Sequence, residues 1–343
     1  MAEEKSARCY YLDVAKVITT FLVIYGHLFS SDSTVRLYLY AFHMPLFFII
    51  SGVFHRYYGK IDWGRYIKRI LWPIAIFIFL SIATNSLFYG KPFFGQIRDF
   101  IVLTATGRYK GILWFLFALF WCHVFGDCIL GLKNKVVPVI IWAVLLFLPV
   151  VLDKRLPFEL SNGLMAFPFY MAGFYGRDFL LKRKESVKWL IPSAVCLVLT
   201  VLITKIHGRV SMVSIKFGSL SYTLYGEDAS ALPVYLKLFL KGANVLLFYL
   251  NGMIGSAMIF SFSLLPFPKT GFITSLSKSL ISVVGTQYLF INLIVYFWGL
   301  DNGYLISVLM SVIVFLLCYA LHHVLLPAYK VFDRRVPLKE AQD

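Results

Sequence analysis

The chain has 343 residues, of which 59% are hydrophobic and only 15% charged, and its mean hydropathy is +0.77. This composition excludes an ordinary soluble domain and indicates an integral membrane protein. The formal net charge of +16 does not indicate nucleic-acid binding, because Lys and Arg are distributed between apolar segments and form no soluble basic domain.

Ten apolar runs follow one another along the chain, each near the ~20 residues that span about 30 Å of hydrocarbon. A helical bundle satisfies its own backbone hydrogen bonds, and no alternation typical of a β-barrel is visible. The sequence therefore predicts an all-α integral membrane protein, a bundle of about ten transmembrane helices that forms a single polytopic domain over residues 1–343. The predicted spans are 11–30, 36–55, 70–90, 112–131, 136–152, 160–180, 189–206, 241–265, 279–298 and 303–326.

Basic residues cluster after the even-numbered predicted spans. By the positive-inside rule these segments face the cytoplasm. Both termini are then cytoplasmic, which agrees with an even number of spans. The clusters after the second, fourth and sixth spans contain Arg56, Lys60, Arg65, Lys68, Arg69, Lys133, Lys135, Arg177, Lys182, Arg183, Lys184 and Lys188.

Three ionisable residues interrupt the first predicted span. At 100° per residue, Lys16 and His27 differ by about 20° in direction and Asp13 and His27 by about 40°, so all three share one stripe of the helix. His27 lies about 16 Å from Lys16 along the helix axis, toward the outer side. Such residues usually face a bundle interior or a water-filled path and are functional. The alternative is an intrahelical Asp13–Lys16 pair near the membrane boundary, with Lys16 extending toward the interface.

The second predicted span carries His43 beside Pro45. After a short outer turn, His43 and His27 lie at similar depth on neighbouring helices, where two imidazoles suited to proton exchange near neutral pH could meet. We expect Pro45 to kink this span and to leave space for a substrate. Gly52, beside Ser51, predicts a close contact with another helix.

Several motifs, in this order and spacing, resemble one family. GH at 26–27, FHMPLFFIISG at 42–52, RYIKRILWP at 65–73 and LWFLFALF at 113–120 are similar to the acyltransferase-3 family of membrane O-acyltransferases, with most likeness to its fucose 4-O-acetylase-like branch. The resemblance is strongest over residues 8–120 and becomes diffuse afterwards, although FPFYMAGFYGRD at 167–178 also looks like a family element.

The resemblance implies a ten-helix enzyme of the bacterial cytoplasmic (inner) membrane. It would transfer acetyl from cytoplasmic acetyl-CoA to a hydroxyl of a cell-surface polysaccharide, such as O-antigen or capsule, or of its lipid-linked precursor. The family's basic-residue-x10-His motif falls on Lys16 and His27. The chain departs from the family at Asn292, near a position where histidine is common, and no soluble extracytoplasmic domain is expected. The membrane domain would then do the whole task or pass acetyl to a glycan-assembly partner.

Acetyl transfer to an alcohol needs a base for the hydroxyl, a site for CoA and stabilisation of an oxyanion. We assign the base to His27, while His43 would orient it, bind the acceptor or act as base itself. Lys16 would contact CoA or the thioester oxygen, and Asp13 would position Lys16. Basic side chains at the cytoplasmic mouth suit the phosphates of CoA, and an aromatic pair is a candidate lining of the acceptor pocket. These residues are Arg56, Arg65, Lys68, Arg69, Trp114 and Phe115.

Other interpretations remain open at this stage. A secondary transporter would use the same Asp, Lys and His as a proton or substrate relay, and a non-catalytic scaffold in a glycan-assembly complex would not need His27 at all. The basic residues at the mouth also fit topology alone, and the aromatic pair also fits packing. The five cysteines form no CxxC pair, so no metal site is expected.

Overall fold

The computed structural model describes residues 9–31, 33–109, 111–134, 136–150, 156–207, 233–300 and 303–330, and these residues form helices and no strand. A π-helical turn, Ile67–Leu71, joins α4 to α5, and short 3-10 turns, Pro157–Glu159 and Val187–Trp189, precede α9 and α11. The α-helices are α1 (Tyr10–His27), α2 (Thr34–Tyr40), α3 (His43–Val53), α4 (Trp63–Tyr66), α5 (Trp72–Tyr89), α6 (Phe93–Ala105), α7 (Trp114–Gly131), α8 (Val136–Val150), α9 (Leu160–Tyr175), α10 (Arg177–Leu181), α11 (Leu190–His207), α12 (Val234–Ser263), α13 (Gly271–Trp298) and α14 (Tyr304–Lys330).

Helix α1 lies between the two hydrophobic clusters of the bundle. The larger cluster joins α1 to α3, α5, α7, α9 and α12, and its fully buried members include Phe48 and Tyr170. The smaller cluster joins α1 to α13 and α14 around Ile24 and Val283. Every residue of α1 is at least partly buried by neighbouring helices, and Asp13, whose exposure is 2%, lies on a side that faces the bundle interior.

Seven helical segments of the described residues are long and apolar enough to cross a membrane. The protein is therefore a multi-pass, all-helical membrane protein. Three predicted spans, 11–30, 136–152 and 160–180, are not among these segments, because α1 carries several polar residues while α8 and α9 have only 15 and 16 residues. The predicted cytoplasmic termini lie outside the described residues. The seven segments are Thr34–Val53, Trp63–Tyr89, Trp114–Gly131, Val187–Lys205, Gly242–Ser263, Gly271–Trp298 and Tyr304–Tyr329.

The second predicted span is broken into α2 and α3. The break falls at Ala41 and Phe42, so α3 begins at His43 and Pro45 lies in its first turn. The span is therefore interrupted just before Pro45 rather than kinked at Pro45 itself, and the prediction of substrate space beside Pro45 stays a prediction. Proline suits the first turn of a helix because the backbone N–H it lacks would have no intrahelical acceptor there.

Candidate functional site

The N-terminal end of the α1 stripe is an ionic cluster closed by α13. Lys16 Nζ lies 3.2 Å from Asp13 Oδ1, and it also donates to Ser277 Oγ at 3.2 Å. Ser277 in turn donates to Asp13 Oδ1 at 2.6 Å. The structure thus contains the intrahelical pair that the spacing allowed, and adds a serine from α13. The Lys16 ammonium also lies 5.4 Å from the ring centroid of Phe54, a cation–π contact.

At the other end of the stripe, two tyrosine hydroxyls converge on His27. The Nδ1 atom of His27 is 2.7 Å from the hydroxyl of Tyr40 and 3.0 Å from that of Tyr288. Tyr40 is buried whereas Tyr288 is partly exposed. The hydrogen bonds fix the orientation of the imidazole, because both partners belong to packed helices, α2 and α13.

His43 lies near His27, but its hydrogen bond is to a different group from the two tyrosine hydroxyls that contact His27. The ring of Tyr40 lies between the two imidazoles, with its centroid 4.7 Å from that of His43 and 5.6 Å from that of His27. The Nδ1 atom of His43 is 2.6 Å from the carbonyl oxygen of Leu39. A carbonyl can only accept, so His43 carries its proton on Nδ1. The structure thus brings both histidines to one place, with Tyr40 between them.

Helices α1 and α13 run parallel and in register along this stripe. Ser277 and Tyr288 are eleven residues apart, as are Lys16 and His27, and each pair of partners makes a hydrogen bond across the helix interface. Eleven residues are close to three helical turns, so the two polar side chains of each helix lie on the side that faces the other helix. The basic-x10-His pattern is therefore matched by a Ser-x10-Tyr pattern that sequence reasoning missed.

A cavity of about 260 Å³ lies beside this end of the bundle. Its wall includes Tyr288 and Asn292 of α13, together with Tyr109 and Leu113 near the start of α7. The predicted pocket residues Trp114 and Phe115 follow directly, but they are not among the described residues that line it. Phe115 packs instead on Phe48, with ring centroids 5.1 Å apart, and both Trp114 and Phe115 are buried. Helix α7 directs both rings into the core, and their assignment to a substrate pocket stays a prediction.

The four basic residues assigned to CoA divide into two groups. Arg56, Lys68 and Arg69 are exposed, and the latter two lie on the π-helical turn before α5, a feature often found at functional sites. Arg65 is held by its surroundings: it donates to the carbonyl of Arg56 at 3.3 Å and to the hydroxyl of Tyr66 at 3.2 Å. Its guanidinium also lies 4.5 Å from the ring centroid of Tyr58.

A second cluster, not predicted from the sequence, lies between α3, α4, α7 and α9. We call it the inner histidine cluster; it comprises His55, Tyr66, His123, Asp127 and Tyr170. The hydroxyl of Tyr170 is 2.6 Å from Nδ1 of His55 and 2.7 Å from Nδ1 of His123. Tyr66 donates to Asp127, whose other oxygen is 3.2 Å from Nε2 of His55 without the alignment of a good hydrogen bond.

The chemistry of the inner histidine cluster constrains its protons. A single hydroxyl with one hydrogen lies between two imidazole nitrogens, so Tyr170 can donate to only one of the two histidines and must accept from the other if both bonds form. Burial lowers the pKa of His55, and the nearby Asp127 carboxylate opposes that effect. His123 and Asp127, four residues apart within an apolar run, were the signal that could have revealed the cluster, since ionisable residues in a span are unusual. Among the described residues, no group of three or more His, Cys, Asp or Glu side chains is arranged to hold a metal ion.

The comparisons with known proteins agree with the early motifs and extend them along the chain. The sequence model of one family, described as an acyltransferase domain, matches residues 10–323. This range includes α1, α13, the cavity wall and the inner histidine cluster. No curated protein and no solved structure matches the chain significantly.

Proposed function

Because the chain belongs to the acyltransferase-3 family, and is therefore a membrane enzyme that transfers acyl groups, we propose that it carries acetyl from cytoplasmic acetyl-CoA to a carbohydrate hydroxyl. The acceptor is a cell-surface polysaccharide, such as O-antigen or capsule, or its lipid-linked precursor. The observation that carries this proposal is His27, held by two tyrosine hydroxyls, one of which lines a cavity.

The setting of the enzyme is part of the same proposal. We place it in the fucose 4-O-acetylase-like branch and in a bacterial cytoplasmic membrane, with ten spans and both termini in the cytoplasm. The motif order at residues 26–120 supports the branch, and the basic segments support the orientation. A glycan-assembly protein is a candidate partner.

The donor end of the reaction is assigned to exposed basic side chains. Arg56, Lys68 and Arg69 take the phosphates of CoA, for which guanidinium and ammonium groups are suitable partners. Arg65, which is tied to Tyr66 and Tyr58, holds this surface in place. Lys16 lies in the ionic cluster on α1, about 16 Å along the helix axis from His27, so its contact with the donor is to the pantetheine or a phosphate of CoA.

The acceptor end is assigned to His27. A neutral imidazole removes the proton of the attacking hydroxyl, which typically accelerates such a step ~10²- to 10⁴-fold. The acceptor occupies the cavity beside Tyr288, where Asn292 and Tyr109 supply further polar groups. His43, with its proton fixed on Nδ1 by Leu39, packs against Tyr40 and supports it.

The proposal is tested with membrane vesicles that carry wild type, His27→Gln or His322→Gln. The control His322 accepts a hydrogen bond from, or donates one to, Ser282 at 2.7 Å and does not line the cavity. With labelled acetyl-CoA and glycan extract, we expect alkali-labile label in wild type and His322→Gln, and a ~10²- to 10⁴-fold loss in folded His27→Gln. Equal rates for all three would refute the base assignment. Uptake of an unmodified substrate without acetyl transfer would indicate a transporter instead.

A further inference from the structure

The residue that faces the cavity beside His27 is a tyrosine. Tyr288 lines the cavity, but His27 is not among the described residues of its wall. Tyr288 contacts both the cavity and the base, because its hydroxyl lies 3.0 Å from Nδ1 of His27. A sugar hydroxyl in the cavity therefore reaches Tyr288 before it reaches His27.

We propose that Tyr288 is a catalytic residue that relays the proton of the acceptor hydroxyl to His27, an inference that rests on the function proposed above. The acceptor O–H bond breaks as its proton passes to the Tyr288 oxygen, while the phenolic proton of Tyr288 passes to Nδ1 of His27. The acceptor oxygen forms a C–O bond with the acetyl carbon, and the C–S bond to CoA then breaks. The imidazolium returns its proton through Tyr288 to the thiolate, so Tyr288 and His27 regain their starting states.

Tyr40 contacts the same nitrogen of His27 as Tyr288, and comparing the two tyrosines shows why the relay is assigned to Tyr288. The Tyr40 hydroxyl contacts this Nδ1 atom at 2.7 Å, yet its side chain is only 5% exposed, and Tyr40 is not among the cavity's described residues. The Tyr40 oxygen is in position to accept the N–H that forms when His27 is protonated. Tyr40 is therefore a positioning residue, while Tyr288, which touches both the cavity and the base, is the relay.

The remaining wall supports a hydroxyl-bearing ligand at this position. Asn292, Tyr109 and Ser81 line the same cavity as Tyr288, and their side chains both donate and accept hydrogen bonds. Phe77 and Leu113 supply apolar surface next to them. A few polar groups in a mostly apolar concavity are typical of sites that bind and orient a small group. The cavity thus holds one sugar hydroxyl against the Tyr288 oxygen.

The matched pair Tyr288→Phe and Tyr40→Phe tests the relay, because each removes one hydroxyl from the same nitrogen. We expect Tyr288→Phe to lower kcat ~10²- to 10⁴-fold, the usual contribution of proton transfer, with little change in KM for acetyl-CoA. Tyr40→Phe should lose no more than about tenfold, since one hydrogen bond contributes about 1 kcal/mol. Tyr319→Phe, which removes a hydroxyl bonded to Ser275 at 2.7 Å, controls for fold and expression.

A fluorinated tyrosine at position 288 separates a relay from a purely structural hydroxyl. Its lower phenolic pKa should shift the pH profile of kcat, whereas the same residue at position 40 should leave the profile in place. Equal losses of kcat for Tyr288→Phe and Tyr40→Phe, or an unshifted pH profile, would overturn the relay. If His27→Gln were inactive in the same experiments, the proposed function would still stand. A wild type that transfers no acetyl group would overturn both.

Discussion

A close approach of two helices makes Gly52 a sensitive position. Helices α3 and α9 meet backbone to backbone: a Cβ atom added at Gly52 would lie 1.9 Å from the carbonyl oxygen of Tyr170 and 3.0 Å from the amide nitrogen of Phe174. The contact is reciprocal, because a Cβ at Gly173 would lie 1.9 Å from the carbonyl oxygen of Ile49. The close helix contact predicted from the sequence is confirmed.

The magnitude of Gly52→Ala follows from this geometry. Carbon to oxygen contacts between helices are normally about 3.3 Å or longer, so the two backbones must separate locally by about 1.4 Å. Overpacking of this kind costs about 1–3 kcal/mol, and the clashing atom is a main-chain oxygen that cannot rotate away. Alanine recovers about 0.5–1 kcal/mol of helix propensity. Because the clashing oxygen cannot move aside, we expect a net loss near the upper end of this difference, about 2 kcal/mol, in the free energy of unfolding.

The assay is thermal or denaturant unfolding of the purified protein in one detergent. Gly242→Ala on α12 is the matched control, because no atom lies within 4 Å of the added Cβ there; it should be neutral or slightly stabilising. Gly173→Ala should resemble Gly52→Ala. If Gly52→Ala were as stable as Gly242→Ala, the backbone contact between α3 and α9 would not exist as described.

Two further experiments, each with a pair of substitutions, test the inner histidine cluster and the ionic cluster on α1. Asp127→Leu leaves the hydroxyl of Tyr66 without its acceptor, so we expect a loss of about 1–3 kcal/mol. The loss should be smaller for Asp127→Asn, which keeps an acceptor for Tyr66, and equal unfolding midpoints for the two variants would contradict this account of the cluster. Lys16→Met removes the cation beside the buried Asp13 carboxylate, so it should lower the free energy of unfolding. Adding Asp13→Asn should restore part of that loss, with a coupling energy between the two sites of about 0.5–3 kcal/mol. Strictly additive effects in this double-mutant cycle would show that the pair does not interact.

How much the sequence could predict differs between the two ends of the α1 stripe. Helical periodicity placed Asp13, Lys16 and His27 on one face correctly, because that relation depends only on the geometry of a single helix. The Asp13–Lys16 pair follows from the same local rule. Ser277 and Tyr288 were missed, because their contact with α1 depends on which helices become neighbours after more than 250 intervening residues, information that single-helix periodicity does not contain.

The break between α2 and α3 shows a different limit. Hydropathy reads residues 34–53 as one apolar segment, and apolarity carries no information on where a helix is interrupted. The start of α3 at His43 turns the imidazole back toward Leu39 and Tyr40. Pro45 was the available signal, since proline is favoured within the first turn of a helix. It indicated a beginning rather than a kink.

The inner histidine cluster and the His27 site rest on the same structural device. In each, a tyrosine hydroxyl on one helix contacts an imidazole from another part of the bundle: Tyr170 contacts His55 and His123, and Tyr40 and Tyr288 contact His27. A phenol both donates and accepts, so it matches either tautomer of its neighbour and still excludes water with its ring. The difference is access. The hydroxyl of Tyr170 is enclosed between two histidines, whereas Tyr288 borders a cavity, and only the second arrangement gives a ligand the access that the proposed proton relay requires.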